Sequence, residues 1–399
     1  MKKRLADRIH RMTPSATVEL AGKIAQLRSQ GVDILSFSVG EPDFETPDNI
    51  CQAAKQAIDD GFTKYTAAAG LEPVRREICK KLEKDNGLAY TPDQIIICTG
   101  AKQALYNAFM AICNPGDEVI LPTPCWVSYM EIIKMAGGVP VPVPCGEDNG
   151  FQPRIEDLRA AVTDRTAAIL FCSPNNPTGA VYSRELLTEI GQLAAEHGLF
   201  VVSDEIYEAL VYDEARHYSV AALCPGIKDS CIVINGVSKT YAMTGWRVGY
   251  AAGPRDIIKA MCSLQGHMTS NTAAINQMAC MEAMQSPQDA VVRMHDEYAR
   301  RRRYMMDRLN AMSGVRCPDA KGAFYVFPNV GALYGKSDGK RTIRDSSDLA
   351  AYLLEEAHVA VVPGVAFQAP EYLRLTYASS MENIIEGMDR MEAALQKLK

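Results

Sequence analysis

At 399 residues the chain is too long for one small core, and at about 150 residues per domain it suits two. A formal net charge of −6 argues against a nucleic-acid surface, which needs a basic excess or stripe. The opening MKKRLADRIH lacks the apolar core of a signal peptide, and no stretch approaches the ~18 apolar residues of a membrane span, so a cytoplasmic protein is expected. The twelve cysteines are scattered, with no CxxC and no histidine at ligand spacing; they read as small core residues of a reducing compartment, and no metal is expected.

In chain order, a helical pattern over 15–30 and an apolar run over 34–39 come first. Strand candidates follow at 94–99, 118–122, 167–172, 199–203, 232–235 and 247–252, each a near-continuous apolar run bounded by Gly, Pro or Asn, as strands buried on both faces are. Helical patterns such as 101–112 and 184–196 lie between them, which implies βαβ units and a mostly parallel sheet in an α/β domain. The last third changes character: a charged helix over 287–312, then AFYVFPNV, a helix from Ser347, VAVVPGVAF and LRLTYA, an α+β arrangement. The expected division is a large domain over 46–289 and a smaller discontinuous one formed by 1–45 and 290–399. The run Arg300 to Arg303 reads as a solvated helix face.

In sheets of this kind ligands bind beyond the carboxyl ends of the strands, where most of the chemically expressive residues fall. Gly100, Ala101 and Lys102 open a helix after the first strand candidate, and free N–H groups there favour a phosphate. Trp126 follows the second, placed either to stack on a flat ring or to pack in the core. The turn Ser173 to Gly179 follows the third; Asn176 could donate to a phenolate or a carboxylate, or the segment could be a turn and nothing more. Asp204 ends the fourth, either capping the next helix or facing a protonated ring nitrogen, with Tyr207 three residues on.

The densest segment is 238–250, SKTYAMTGWRVGY. It places Lys239 just past an apolar strand and eight residues before Arg247, with Ala242, Gly245 and Gly249 small enough for close approach to a ligand. An ammonium stranded there costs desolvation energy unless the amine condenses with an aldehyde. Arg247 offers a planar fork for a phosphate. Aldehyde plus phosphate suggests pyridoxal 5'-phosphate (PLP); the rival is an ordinary surface Lys and Arg. Arg374, between Leu373 and Leu375 in a strand, needs an anion, either a substrate carboxylate or a structural partner. Tyr65 sits at an apparent loop tip with no role evident from the residues.

With these pieces in order, the chain resembles the class I/II aminotransferases of PLP fold type I, and within them the bacterial aspartate enzymes. The likeness covers nearly the whole chain through PSATVEL, SVGEPDFETP, KYTAAAG, NPGDEVILPTPCWVSY, SPNNPTGAVY, VVSDEIYE, NGVSKTYAMTGWRVGYAAGP, GAFYVFP, VAVVPGVAF and LRLTYASS. The resemblance implies that Lys239 holds the cofactor as a Schiff base and then moves the substrate proton. It implies Asp204 at the ring nitrogen, Tyr207 and Asn176 at the phenolate oxygen, and Trp126 on the ring. Arg247, Ser238 and the Gly100–Lys102 helix start would hold the phosphate, with Tyr65 reaching that of a neighbouring subunit in a homodimer that shares its sites. Arg374, Asn176 and the Gly40 backbone would take the α-carboxylate, while Lys102, Ser15 and Thr17 would favour acidic side chains. His267 lies in the same stretch of chain and carries little weight.

Two departures stand out. Gly236 occupies a position where many relatives have a phosphate-binding serine, and Thr13 one where relatives that use prephenate tend to be basic. The implied reaction is amino transfer from L-aspartate to 2-oxoglutarate by a ping-pong route. The alternatives are an alanine, aromatic or prephenate aminotransferase, or a β-lyase on the same fold.

Overall fold

A computed structural model of the chain describes residues 5–10, 12–13, 16–224 and 226–399. Its centre is a seven-stranded sheet of β2 (Ile95–Cys98), β3 (Glu118–Thr123), β4 (Val139–Pro144), β5 (Thr166–Cys172), β6 (Phe200–Asp204), β7 (Cys231–Gly236) and β8 (Gly249–Ala252). The spatial order is β2-β8-β7-β6-β5-β3-β4. Only β8 runs against its neighbours; the remaining pairs are parallel.

Side chains alternate faces along a strand, and here both faces are covered. Ile96, Leu121, Leu170, Val202 and Ile232 join one hydrophobic cluster. Ile95, Ile97, Ile120, Ile169, Val201 and Val233 join the other. That double burial explains why the central strands read as unbroken apolar runs. β4, with the sequence VPVPVP, has no such signature: it lies at the sheet edge and pairs only with β3, where missing proline N–H groups are tolerated. Helix ends follow local chemistry. Ser183 Oγ accepts from Leu186 N at 3.1 Å to start the helix Arg184–His197, and Gly198 ends it in the left-handed region.

Outside this sheet, β1 (Leu35–Ser36) pairs in parallel with β10 (Val359–Ala360), which sets this short strand beside the C-terminal third. β9 (Tyr325–Val326), β11 (Val362–Pro363) and β12 (Leu373–Thr376) form a three-stranded antiparallel sheet in the order β11-β12-β9.

Two expectations are corrected. The last strand of the large sheet begins at Gly249 rather than 247, because Arg247 adopts φ 55° and closes a short turn. The arginine run is not a solvated face. Within the helix Asp289–Ala311, Arg301 and Arg302 are buried. Arg301 grips both carboxylate oxygens of Asp43 at 2.8 and 2.9 Å, and Arg302 Nη1 meets Asp213 at 2.8 Å. Only Arg300 and Arg303 face water.

Candidate active site

Parallel strands carry their following loops to one edge of a sheet, so the turns after β2, β3, β5, β6 and β7 converge. The reversed β8 completes the set: Gly249 pairs with both Gly236 and Cys98, which brings the start of β8, and Arg247 just before it, to the same edge. Gly236 is a glycine for this reason. A Cβ there would lie 2.9 Å from Gly249 Cα and the Val248 carbonyl, too close for a serine to replace it without displacing β8.

A cavity of about 450 Å³ lies at this edge. Ser38, Gly40, Glu41, Ala101, Lys102, Trp126, Asn176, Asp204, Tyr207, Ser238, Lys239, Arg247, Tyr325 and Arg374 all line it. Gly100 opens the neighbouring helix with φ 82°, and a Cβ on it would collide with the Arg247 guanidinium, so that fork lies directly over the helix start. A Cβ on Gly249 would collide with the backbone of Ala101. The close approach that Gly249 permits is therefore to the helix rather than to a ligand, and Gly245 has open space around it.

Lys239 donates to the carbonyl of Gly40, and its nitrogen lies 5.9 Å from the Tyr207 ring centroid. Burial lowers its pKa to about 8, opposed by Glu41 and assisted by Arg247 and Arg374. Asp204 is buried, which raises its carboxyl to about 6 against the opposing hydrogen bonds from Tyr129 Oη (2.7 Å) and Ile206 N (3.2 Å). Its cap reading survives only as that local turn bond, since no regular helix follows directly. Tyr207 shares a 2.9 Å hydrogen bond with Tyr325. Arg374 donates to Asn176 Oδ1 at 3.1 Å and to the Ser38 carbonyl at 2.6 Å, and its Nε has no partner. Among the described residues it meets no carboxylate within ion-pair distance, so the structural salt bridge is absent. Lys102 lies 4.8 Å from the Trp126 ring centroid, with its pKa lowered by burial and then by Arg247.

Residues 32–391 match the family model for aminotransferase class I and II. The chain belongs to this family. An aspartate aminotransferase of Streptomyces avermitilis is 46% identical over 399 residues, covering 100% of this chain and 98% of that protein. An aspartate/prephenate aminotransferase of Cereibacter sphaeroides is 45% identical, covering 98% of each. A solved aspartate aminotransferase of Thermus thermophilus with maleate superposes with a TM-score of 0.93 at 42% identity, covering 98% of this chain and 100% of that one.

Not every residue singled out in this aminotransferase's sequence reaches the cavity. Tyr65 is 90% exposed and outside it, and His267 is exposed on the helix Arg255–Met268. Ser15 and the side chain of Thr17 lie outside the described residues. Sequence reasoning missed Tyr129, Tyr325, Ser38 and Glu41. Tyr129 carried a local signal, three residues after Trp126 in the first turn of the helix Ser128–Met135. Tyr325 carried none, because its importance rests on a partner over a hundred positions away.

One cluster lies outside the cavity's lining. Buried Glu205 accepts from Ser203 and Ser219 and meets His217 Nε2 at 3.2 Å, while Glu208 meets Lys81 and Asn86. Glu205, Glu208 and His217 lie close enough together to hold a cation, and the Lys81 ammonium already supplies one.

Proposed function

We propose that this aminotransferase carries the amino group of L-aspartate to 2-oxoglutarate with pyridoxal 5'-phosphate, in two half-reactions at one site. The observation that carries the substrate reading is that, with Lys239 and Arg247 given to the cofactor, two further cations line the cavity without carboxylate partners among the described residues: Arg374, buried with an unpartnered Nε, and Lys102 beside Trp126. Two such cations suit a substrate with a carboxylate at each end.

Three features support the fit of PLP. Buried Asp204 keeps its carboxylate at the cavity wall, so a cationic ring nitrogen would stabilise it as an anion. Arg247 over the Gly100–Ala101 helix start, with Ser238 nearby, offers a phosphate seat of N–H and O–H donors. Lys239 supplies the amine. When bound, PLP supplies an aldehyde that an amine can hold and a ring that takes up the electron pair left at the substrate Cα.

The chain's own residues do the rest. Arg374 and Asn176, with the Gly40 backbone, hold the α-carboxylate and orient the Cα–H bond. Trp126 closes one wall of the ring site. Tyr207 donates toward the cofactor's phenolate oxygen. Lys239 Nζ, with its pKa near 8, takes the Cα proton and returns it, a general acid-base contribution of ~10²–10⁴ in rate. Lys102, Ser15 and Thr17 are the residues we assign to the distal carboxylate.

We infer further that the enzyme works in the cytoplasm as a homodimer, exposed Tyr65 completing the neighbour's phosphate site, and that 46–289 and 1–45 with 290–399 form its two domains. Steady-state kinetics with aspartate, alanine and tyrosine as donors, and with 2-oxoglutarate and prephenate as acceptors, test the reading. Aspartate and 2-oxoglutarate are expected to lead; alanine or an aromatic amino acid favoured over aspartate, or prephenate favoured over 2-oxoglutarate, by more than tenfold in kcat/KM would refute the substrate assignment. A Lys239→Ala protein with full turnover would refute the catalytic one.

A further inference from the structure

We propose that Tyr325 is a positioning residue: its hydroxyl donates to Tyr207 Oη and thereby turns the single Tyr207 proton toward the cavity. The proposal rests on the reading of Tyr207 as the partner of the cofactor's phenolate oxygen.

A phenol has one proton to donate and can accept as well. The two hydroxyls lie 2.9 Å apart, and either could donate. If Tyr207 spends its proton on Tyr325, it presents only lone pairs to an anionic ligand oxygen. If Tyr325 donates, the Tyr207 proton is free to point into the cavity, and the accepted bond polarises it into a better donor.

The Tyr325 hydroxyl has little freedom to leave. Its residue is fully buried in β9, where Tyr325 pairs with Thr376 of β12, the strand that carries Arg374. The ring stands edge-on to Tyr207 at 5.9 Å and against Phe324 at 4.8 Å. The Arg374 guanidinium covers it at 4.5 Å from the centroid. On the remaining side, a Cβ on Gly40 would come within 2.7 Å of the hydroxyl. One ring thus supports the carboxylate-binding cation with its face and the phenolate-facing tyrosine with its edge.

The test uses the PLP-loaded enzyme and reads the pH midpoint of its cofactor absorption band. Groups facing the tyrosine pair are Arg374, Lys239 and Cys172, all retained in the variants. Donation to the phenolate favours the deprotonated form, so Tyr207→Phe is expected to raise the midpoint. Tyr325→Phe should raise it by about half a pH unit, a roughly threefold change in the acid constant. In a Tyr207→Phe background, Tyr325→Phe should have no further effect. Binding of maleate, which reads Arg374, should stay within twofold, because phenylalanine keeps the ring beneath the guanidinium.

An unmoved midpoint in Tyr325→Phe, an equal shift in both backgrounds, or a parallel loss of maleate affinity would each overturn the proposal. A parental midpoint in Tyr207→Phe itself would instead remove the assignment of Tyr207, and this inference with it.

Discussion

Tyr129 Oη donates to Asp204 Oδ2 at 2.7 Å, a bond between two buried side chains at the end of β6. Burial pushes the Asp204 carboxyl up to about 6, and this hydroxyl is the largest opposing influence. Tyr129→Phe should therefore push it higher still and weaken the ionised form that faces a cationic ring nitrogen. Losing a hydrogen bond to a charged group costs roughly 1.5 kcal/mol or more, so PLP affinity should fall about tenfold. Equilibrium titration of the ligand-free protein with PLP measures it; unchanged affinity would show that Tyr129 merely fills space.

Arg374 is the clearest conflict between stability and function. It is buried, its Nε is unpartnered, and among the described residues no carboxylate compensates it. Replacing a buried charge by an apolar side chain of similar length is often neutral or stabilising. Arg374→Met should leave the melting temperature of the ligand-free protein unchanged or higher while kcat/KM for aspartate falls by about 10² or more. Calorimetry alongside steady-state kinetics would separate the two effects.

The amine of Lys239 has a folded-state pKa of about 8, lowered from 10.5 chiefly by burial. Between those values the unfolded chain binds more protons than the folded one, so this group's contribution to stability rises with pH across that window. Lys239→Met removes the effect. The variant's advantage over the parent in urea unfolding should be larger at pH 7 than at pH 10.5, by up to about 3 kcal/mol. An advantage independent of pH would contradict the assignment.

His217 titrates in the opposite sense. Its pKa is raised above 6.5: burial lowers it, but the hydrogen bond and charge of Glu205 and the charge of Glu208 prevail. A raised histidine pKa stabilises fully below the unfolded value, and the benefit is lost as pH rises through the folded value. The stability lost in His217→Gln should be greater at pH 5.5 than at pH 8.5. Equal losses at both values would mean that folding leaves the ring's pKa unshifted.

Four adjacent arginines should respond unequally. Arg300→Ala, on the exposed side of its helix, should leave stability nearly unchanged. Arg302→Ala removes a buried guanidinium bonded to Asp213, Asp319 and the Ala320 carbonyl, and should cost about 3 kcal/mol. Denaturant unfolding of the two variants checks the contrast.

Much of this architecture can be read locally. Strands buried on both faces announce themselves as apolar runs, and the helix Ala101–Ile112 follows directly from its pattern. Burial was not legible for Arg301 and Arg302, because charge alone does not say which helix face meets Asp43 or Asp213. β4 was hidden by its prolines, whose usual meaning in a strand reverses at an edge.

By itself, the sequence determined the kinds of chemistry on offer: a lysine past an apolar strand, an aspartate ending another, an arginine between leucines. Those follow from short-range rules of burial and periodicity. Tertiary structure alone decided their company. The reversal of β8 delivers Arg247 to the helix start, and the pairing of β9 with β12 sets Tyr325 between Arg374 and Tyr207. Contacts between residues far apart in the chain depend on how whole strands pack, and no local pattern encodes that.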